Sequence, residues 1–201
     1  MRIITFYTDD SYKLKAEGLK ASAESFGLEC VLLQKPDLGE WWSNCNQKCE
    51  VIREALETYG DEPLIWNDAD CRYVRKPILF DALQDYDLAA VFLNANSHPF
   101  GGTLWFNGRR ALPYVNAWCA NVKRYPTHED DSTNFRMALH QTRPKNLYHL
   151  PPEYCWREYD FRAAVPGGNP VIVHTTDGTH DYPVTHLSQE EVTRLYSKAN
   201  G

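Results

Sequence analysis

Two acids one residue apart, Asp68 and Asp70, close the segment Pro63-Leu64-Ile65-Trp66-Asn67-Asp68-Ala69-Asp70. If its apolar part is a buried strand, both carboxylates emerge at the strand's C-terminal edge, where open α/β sheets bind their ligands. Carboxylates gathered at one edge suit a hard divalent cation, and such a cation suits a diphosphate. The segment therefore points to metal-assisted chemistry on a phosphorylated donor. The spacing alone is common: Asp85-Tyr86-Asp87 repeats it between a helical stretch and the next strand, where acids are usually solvated turn residues. The apolar run before Asp68, together with motifs nearer the C-terminus, sets the first pair apart.

The elements that must position these acids are read from periodicity and breakers. Strands are expected at 3–8, 29–33, 64–67 and 88–93, with helices at 12–26 and 46–59. Gly27 and Gly60 stop the two helices. Residues 39–43, with Trp41 and Trp42, read as a loop, and Pro77 opens a short helix through Leu83. This is a βαβαβ pattern with short connections, the signature of a parallel sheet covered by helices. In the second half a strand at 101–107 is entered through Gly101 and Gly102. Helices are expected at 110–123 and 131–141, then short strands at 146–150 and 171–174. Ser188 and Glu191 form a capping box for a last helix. No repeat, low-complexity tract or linker divides the chain.

Taken in order, these features resemble the nucleotide-diphospho-sugar transferases, the glycosyltransferases of the GT-A fold. The matching parts are the first strand ending in Thr8, Asp68-Ala69-Asp70 behind an apolar strand, the glycine-entered strand ending in Asn107, and the acidic cluster Glu129-Asp130-Asp131 with a late His174. The resemblance covers nearly the whole chain. It implies one domain over 1–201, a GT-A (Rossmann-like) α/β fold with a mixed, mostly parallel sheet. Residues 1–100 would form the nucleotide-binding half, and 101–201 would complete the metal and acceptor sites. It implies Mn²⁺ (or Mg²⁺) held by Asp70 directly and by His174, with Asp68 binding the ribose or the metal through water. Manganese tolerates such a mixed oxygen and imidazole set. Thr8, Asp9, Lys48, Asp68, Gly102 and Asn107 are the expected donor contacts, with UDP-sugar the default donor by family frequency. For Asp9 or Asp10 the alternative is a helix cap. For Lys48 it is a solvated helix lysine.

A catalytic carboxylate is expected among Glu129, Asp130 and Asp131, with Asp130 first and Asp131 its rival. One of the three serves as a helix N-cap. An inverting transfer needs a base and a retaining one a nucleophile or a protected front-face attack, so the stereochemistry stays open. Trp41 or Trp42 could offer a stacking platform to an acceptor.

Composition bounds the alternatives. A length of 201 residues suits a single domain with a real core, and 43% hydrophobic with 13% aromatic residues argues against disorder. A net charge of −6 gives no general attraction to nucleic acid or anionic membrane. No apolar run approaches the length of a membrane span. The N-terminus reads as a first strand rather than a signal peptide, and six scattered cysteines read as reduced thiols, so a cytoplasmic location is expected. The acceptor is unreadable: a glycan, protein, small molecule or modified base in phage DNA. Its site would be built from loops 40–47 and 154–169 or from a partner. The rival readings are a haloacid-dehalogenase-like phosphohydrolase and a sugar-nucleotide-binding module without catalysis. Cys71 comes after Asp70 where the hydrolase motif usually has a small hydroxyl or Val, and a full βαβα precedes the acids where that motif normally sits on the first strand. A nucleotidyltransferase would need a glycine-rich phosphate loop that the first strand lacks.

Overall fold

The strands are β1 (Arg2–Tyr7), β2 (Glu29–Gln34), β3 (Leu64–Asn67), β4 (Cys71–Tyr73), β5 (Leu88–Phe92), β6 (Pro99–Phe106), β7 (Leu147–Leu150) and β8 (Ile172–His174). The helices are α1 (Asp10–Glu24), α2 (Trp41–Asn46), α3 (Lys48–Tyr59), α4 (Leu112–Arg124) and α5 (Asp131–Thr142). These come from a computed structural model that describes residues 1–92, 99–125, 131–157 and 168–174. The main sheet has the order β2-β1-β3-β6-β5-β7. The β1–β2, β1–β3 and β5–β7 pairs are parallel, while β6 runs antiparallel to both neighbours. A mixed, mostly parallel sheet is therefore present, and it draws strands from both halves of the chain.

Side chains alternate across the sheet, as the pleat requires. Ile3, Ile65, Ala89 and Trp105 face one apolar cluster with Leu19 and Ala23 of α1. Ile4, Leu64, Trp66, Leu104 and Phe106 face the other, with α3, α4 and α5 supplying Leu56, Trp118 and Phe135. Both faces are covered, which is why β3 opens on the apolar run Leu64-Ile65-Trp66; all four of its residues, Asn67 included, are buried.

Local chemistry accounts for the helix ends. The Asp9 carboxylate caps α1 by accepting from the Tyr12 N–H at 2.9 Å. Pro113 lies in the first turn of α4, where a missing N–H costs nothing. Gly108 adopts φ +49°, and a Cβ there would lie 2.7 Å from the backbone of Asp61, so only glycine lets the β6–α4 connection pass so close to the α3–β3 turn.

Several expectations need correction. The expected loop at 39–43 runs into a short helix, α2. The Pro77 segment is a 3-10 turn, Ile78–Ala82, rather than an α-helix. The ribbon β4–β8 was not anticipated; it sets Cys71 opposite His174. The last helix expected from Ser188 lies outside the described residues.

Candidate functional site

The parallel strands β1 and β3 end at one edge of the sheet, and β6, running the other way, begins there. That polarity brings Thr8, Asp68 and the Gly101-Gly102 pair together. Asn67, fully buried, fixes the end of β3: its amide donates to Thr103 Oγ1 at 2.9 Å and its carbonyl oxygen accepts from the Tyr73 hydroxyl at 2.7 Å. The chain then turns, with Asp68 N–H donating to Gly102 O at 3.0 Å and Cys71 N–H to Asp68 O at 2.9 Å. With only Ala69 between them, Asp68 and Asp70 leave this turn on the same side, both facing His174. The β4–β8 ribbon delivers His174 to the same point.

Three donor atoms converge there. His174 Nε2 lies 3.1 Å from Asp70 Oδ1 and 3.4 Å from Asp68 Oδ2. The other ring nitrogen, Nδ1, is buried with no hydrogen-bond partner among the described residues. Two carboxylates facing one imidazole nitrogen fit a divalent cation of the manganese or magnesium class. Cys71 Sγ stands in the same cluster, with ligand atoms of Asp70, Cys71 and His174 all within 4.8 Å of one another. Burial pushes that thiol well up, and it donates to Gly102 O at 3.3 Å.

Beside this group sits a buried ion cluster. Lys48, the first residue of α3, is 4% exposed. Its ammonium contacts Asp68 Oδ1 at 2.8 Å, pairs closely with Asp131 at the start of α5, and donates to Gly101 O at 3.2 Å. Trp66 Nε1 also donates to Asp68 Oδ1, at 2.9 Å. Burial lowers the Lys48 pKa, but the Asp131 and Asp68 carboxylates raise it by more, to above the ordinary lysine value. Burial would likewise raise Asp68, but the Lys48 charge and His174 hold its carboxyl well below the usual carboxylate range. His174 is pushed down by burial and up, by more, through its bonds to Asp68 and Asp70, so its pKa lies well above that of a free imidazole.

The glycines are required by crowding. A Cβ on Gly101 would lie 2.8 Å from Asp131 Oδ2 and 3.0 Å from Lys48 Nζ. On Gly102 it would lie 3.0 Å from Cys155 Sγ and 3.2 Å from His174 Cδ2. The ion cluster, the glycines and the three convergent ligands line one cavity of about 430 Å³. Asp68, Asp70, Asp131 and His174 line it together with the aromatic side chains of Phe6, Tyr12, Trp41 and Trp66.

Of the residues expected from sequence, Thr8, Lys48, Asp68, Asp70, Gly102, Asp131 and His174 all line this cavity. Glu129 and Asp130 lie outside the described residues. Two expected donor contacts are placed elsewhere. Asp9 is engaged in capping α1 and does not line the cavity. Asn107 stands at the opposite end of β6, where its amide donates to Gln84 O and Tyr86 O, both at 2.8 Å, and ties down the turn before β5. The antiparallel direction of β6 is the reason: its first residues, not its last, reach the site. Tyr12 and Arg157 also line the cavity and were not anticipated. Tyr12 lies in the first turn of α1 and could have been found from that position; Arg157 carries no local signal.

The sequence matches no protein-family model and no curated protein. Solved structures do resemble it. A glycosyltransferase involved in the glycosylation of the major capsid of PBCV-1 superimposes with a TM-score of 0.68 at 13% identity, over 88% of this chain and 92% of that one. The glycosyltransferase GlyE of Streptococcus pneumoniae TIGR4 gives 0.61 at 16% identity, over 98% of this chain and 61% of that one. The galactosyltransferase LgtC, solved with donor and acceptor sugar analogs, gives 0.57 at 12% identity, over 100% and 97%. At such identities the likeness establishes architecture: the chain has the GT-A fold of these glycosyltransferases.

Proposed function

We propose that this protein is a metal-dependent glycosyltransferase that moves a sugar from a nucleoside-diphosphate sugar, UDP-linked by default, to an acceptor hydroxyl. The observation that carries the reading is the convergence of Asp68, Asp70 and His174 on one point of a cavity whose neighbouring wall is the Lys48–Asp131 pair. Asp70, His174 and Asp68 would hold a manganese or magnesium ion. When bound, the ion supplies the positive charge that stabilises a departing diphosphate.

The remaining work falls to side chains. The first strand–helix turn, with Thr8 and the ring of Tyr12, receives the nucleoside. Gly101 and Gly102, having no side chains, let the donor sugar lie against β6. Lys48 keeps Asp68 ionised and holds both Asp68 and Asp131 in direction, so neither reorganises during the reaction. Asp131, already bonded to an ammonium, orients sugar hydroxyls. The carboxylate that takes the acceptor proton or attacks the sugar is one of Asp130, Asp131 and Glu129; Glu129 and Asp130 lie outside the described residues.

The test is hydrolysis or transfer from a panel of sugar nucleotides with and without Mn²⁺. One donor should turn over only with the metal, and Asp70→Asn should abolish that turnover while leaving the far-ultraviolet circular dichroism unchanged. Release of inorganic phosphate from phosphomonoesters, with no sugar nucleotide consumed, would support the phosphohydrolase instead. Metal-dependent binding without turnover of any donor would support the inactive binding module.

A further inference from the structure

Helix α1 carries a glycine near its middle, Gly18, where alanine is the better helix former. The neighbour it faces gives the reason. A Cβ on Gly18 would lie 2.7 Å from Arg72 Cζ and 2.8 Å from Arg72 Nε, so the guanidinium rests across the bare backbone of the helix. One turn further on, the Ser22 hydroxyl accepts from the Tyr73 N–H at 3.0 Å. Gly18 and Ser22, four residues apart, thus share the face of α1 that meets β4.

The place of Arg72 bears on the metal cluster. It is the central residue of β4, paired with Val173 of β8. Its Nη1 donates to Cys71 O at 2.6 Å and to Ala69 O at 3.2 Å. These two carbonyls stand on either side of Asp70. One cationic group therefore holds both ends of the short segment that aims the Asp70 carboxylate at His174, 3.1 Å away. Hydrogen bonds from a cation are stronger than those between neutral groups, and the helix behind the guanidinium keeps it on its carbonyls.

We propose that Arg72 is a positioning residue for the metal cluster: it fixes the turn from Asp68 to Cys71 so that Asp70 is aimed before a cation arrives, and position 18 is glycine to leave it room. This rests on the metal reading above and goes beyond it by naming what holds the ligand-bearing turn in shape. Arg72 acts through Asp70 and makes or breaks no bond itself. A carboxylate already directed at His174 gives up little freedom on taking the cation, and outer groups of this kind change metal affinity by about ten- to a hundredfold. Helix α1, whose first turn lines the cavity through Tyr12, is thereby tied to the turn that carries the acids.

The experiment is titration with Mn²⁺ alone, up to millimolar, read by the electron paramagnetic resonance of the free ion. The proteins are wild type, Arg72→Ala, Arg72→Lys, Gly18→Ala and the Gly18→Ala/Arg72→Ala double variant. Thermal unfolding of each is measured first, and the titrations are run well below every melting temperature, so that lost folding is not read as lost metal. Arg72→Ala should weaken Mn²⁺ by about tenfold or more, and Arg72→Lys should recover part of the loss. Gly18→Ala should weaken Mn²⁺ to a similar degree, although alanine is the better helix former, because its methyl group displaces the guanidinium. With Arg72 already replaced, Gly18→Ala should add nothing, a non-additivity that a merely structural role would not produce. Equal Mn²⁺ affinity in wild type and Arg72→Ala, or additive losses in the double variant, would overturn the assignment. If Arg72→Ala does not fold, Gly18→Ala decides: an Mn²⁺ affinity equal to that of wild type overturns the proposal. A wild type that takes up no Mn²⁺ would overturn the metal reading itself, and the proposal with it.

Discussion

Replacing Lys48 by Met keeps an unbranched apolar side chain and removes the ammonium, which lies 5.6 Å from the Trp66 ring centroid. The consequence can be sized from burial. Side-chain exposure is 5% for Lys48, 10% for Asp131 and 26% for Asp68. Breaking a buried pair by deleting one partner costs about 3–5 kcal/mol, because a charge is left behind without compensation. Asp68 reaches some solvent, so the lower end, about 3 kcal/mol, applies here. For a domain of this size that lowers the melting temperature by about 6–12 °C.

The loss should depend on pH. In the wild type the Asp68 pKa is depressed. The stability it contributes is therefore fully present above the unfolded value, about 4, and is lost as pH falls through the lower folded value. Without Lys48 that depression is largely gone, so wild type and variant should differ most near pH 7 and converge as the pH falls below about 4. Urea unfolding of wild type, Lys48→Met, Asp131→Asn and the double variant measures both effects. The cycle should return a coupling of about 2 kcal/mol or more. A Lys48→Met variant that melts within about 2 °C of wild type at pH 7, with no coupling to Asp131, would refute the ion cluster.

Other outcomes are equally specific. Gly102→Ala pushes a methyl group against Cys155 and His174. It should weaken Mn²⁺ binding about tenfold or more, read by metal titration, because the imidazole must move. Asn107→Ala removes two hydrogen bonds far from the cavity. It should cost about 1–2 kcal/mol in urea unfolding while leaving nucleotide affinity unchanged. Among the six cysteines only Cys45 is more than marginally exposed, and it lines the cavity. One thiol should therefore react quickly with a disulfide reagent in the native protein, and a bound nucleoside diphosphate should slow it; Cys30, which burial pushes to about 12, should wait for unfolding.

How much of the fold and site was legible in the sequence differs from residue to residue. The acids of β3 could be placed because a buried strand declares itself by composition and its C-terminal edge is implied by the βαβ pattern. Lys48 and Asp131 could be singled out as helix-start residues, but their pairing joins positions 83 residues apart. It depends on how α3 and α5 pack against β6, which no local pattern encodes. Asn107 misled for a physical reason: glycines, an apolar run and a terminal Asn read the same in either direction, and pairing alone shows that β6 is antiparallel to β3. β8 was expected as a strand at 171–174, but β4 is only three residues long, too short for periodicity to mark, so their pairing into a ribbon could not be read. The place of His174 depends on it. His174 could be suspected from its family position, whereas Arg157 had nothing but its charge.

Whether one cation and one pyrophosphate share the pocket at the end of β3 is tested most directly by anomalous diffraction. The crystals would be soaked in Mn²⁺ with UDP, or with whichever diphosphate the donor panel selects. The manganese peak should lie at bonding distance from Asp70 and His174 and touch oxygens of both phosphates. A peak elsewhere, or a nucleotide seated away from the metal, would contradict the shared site.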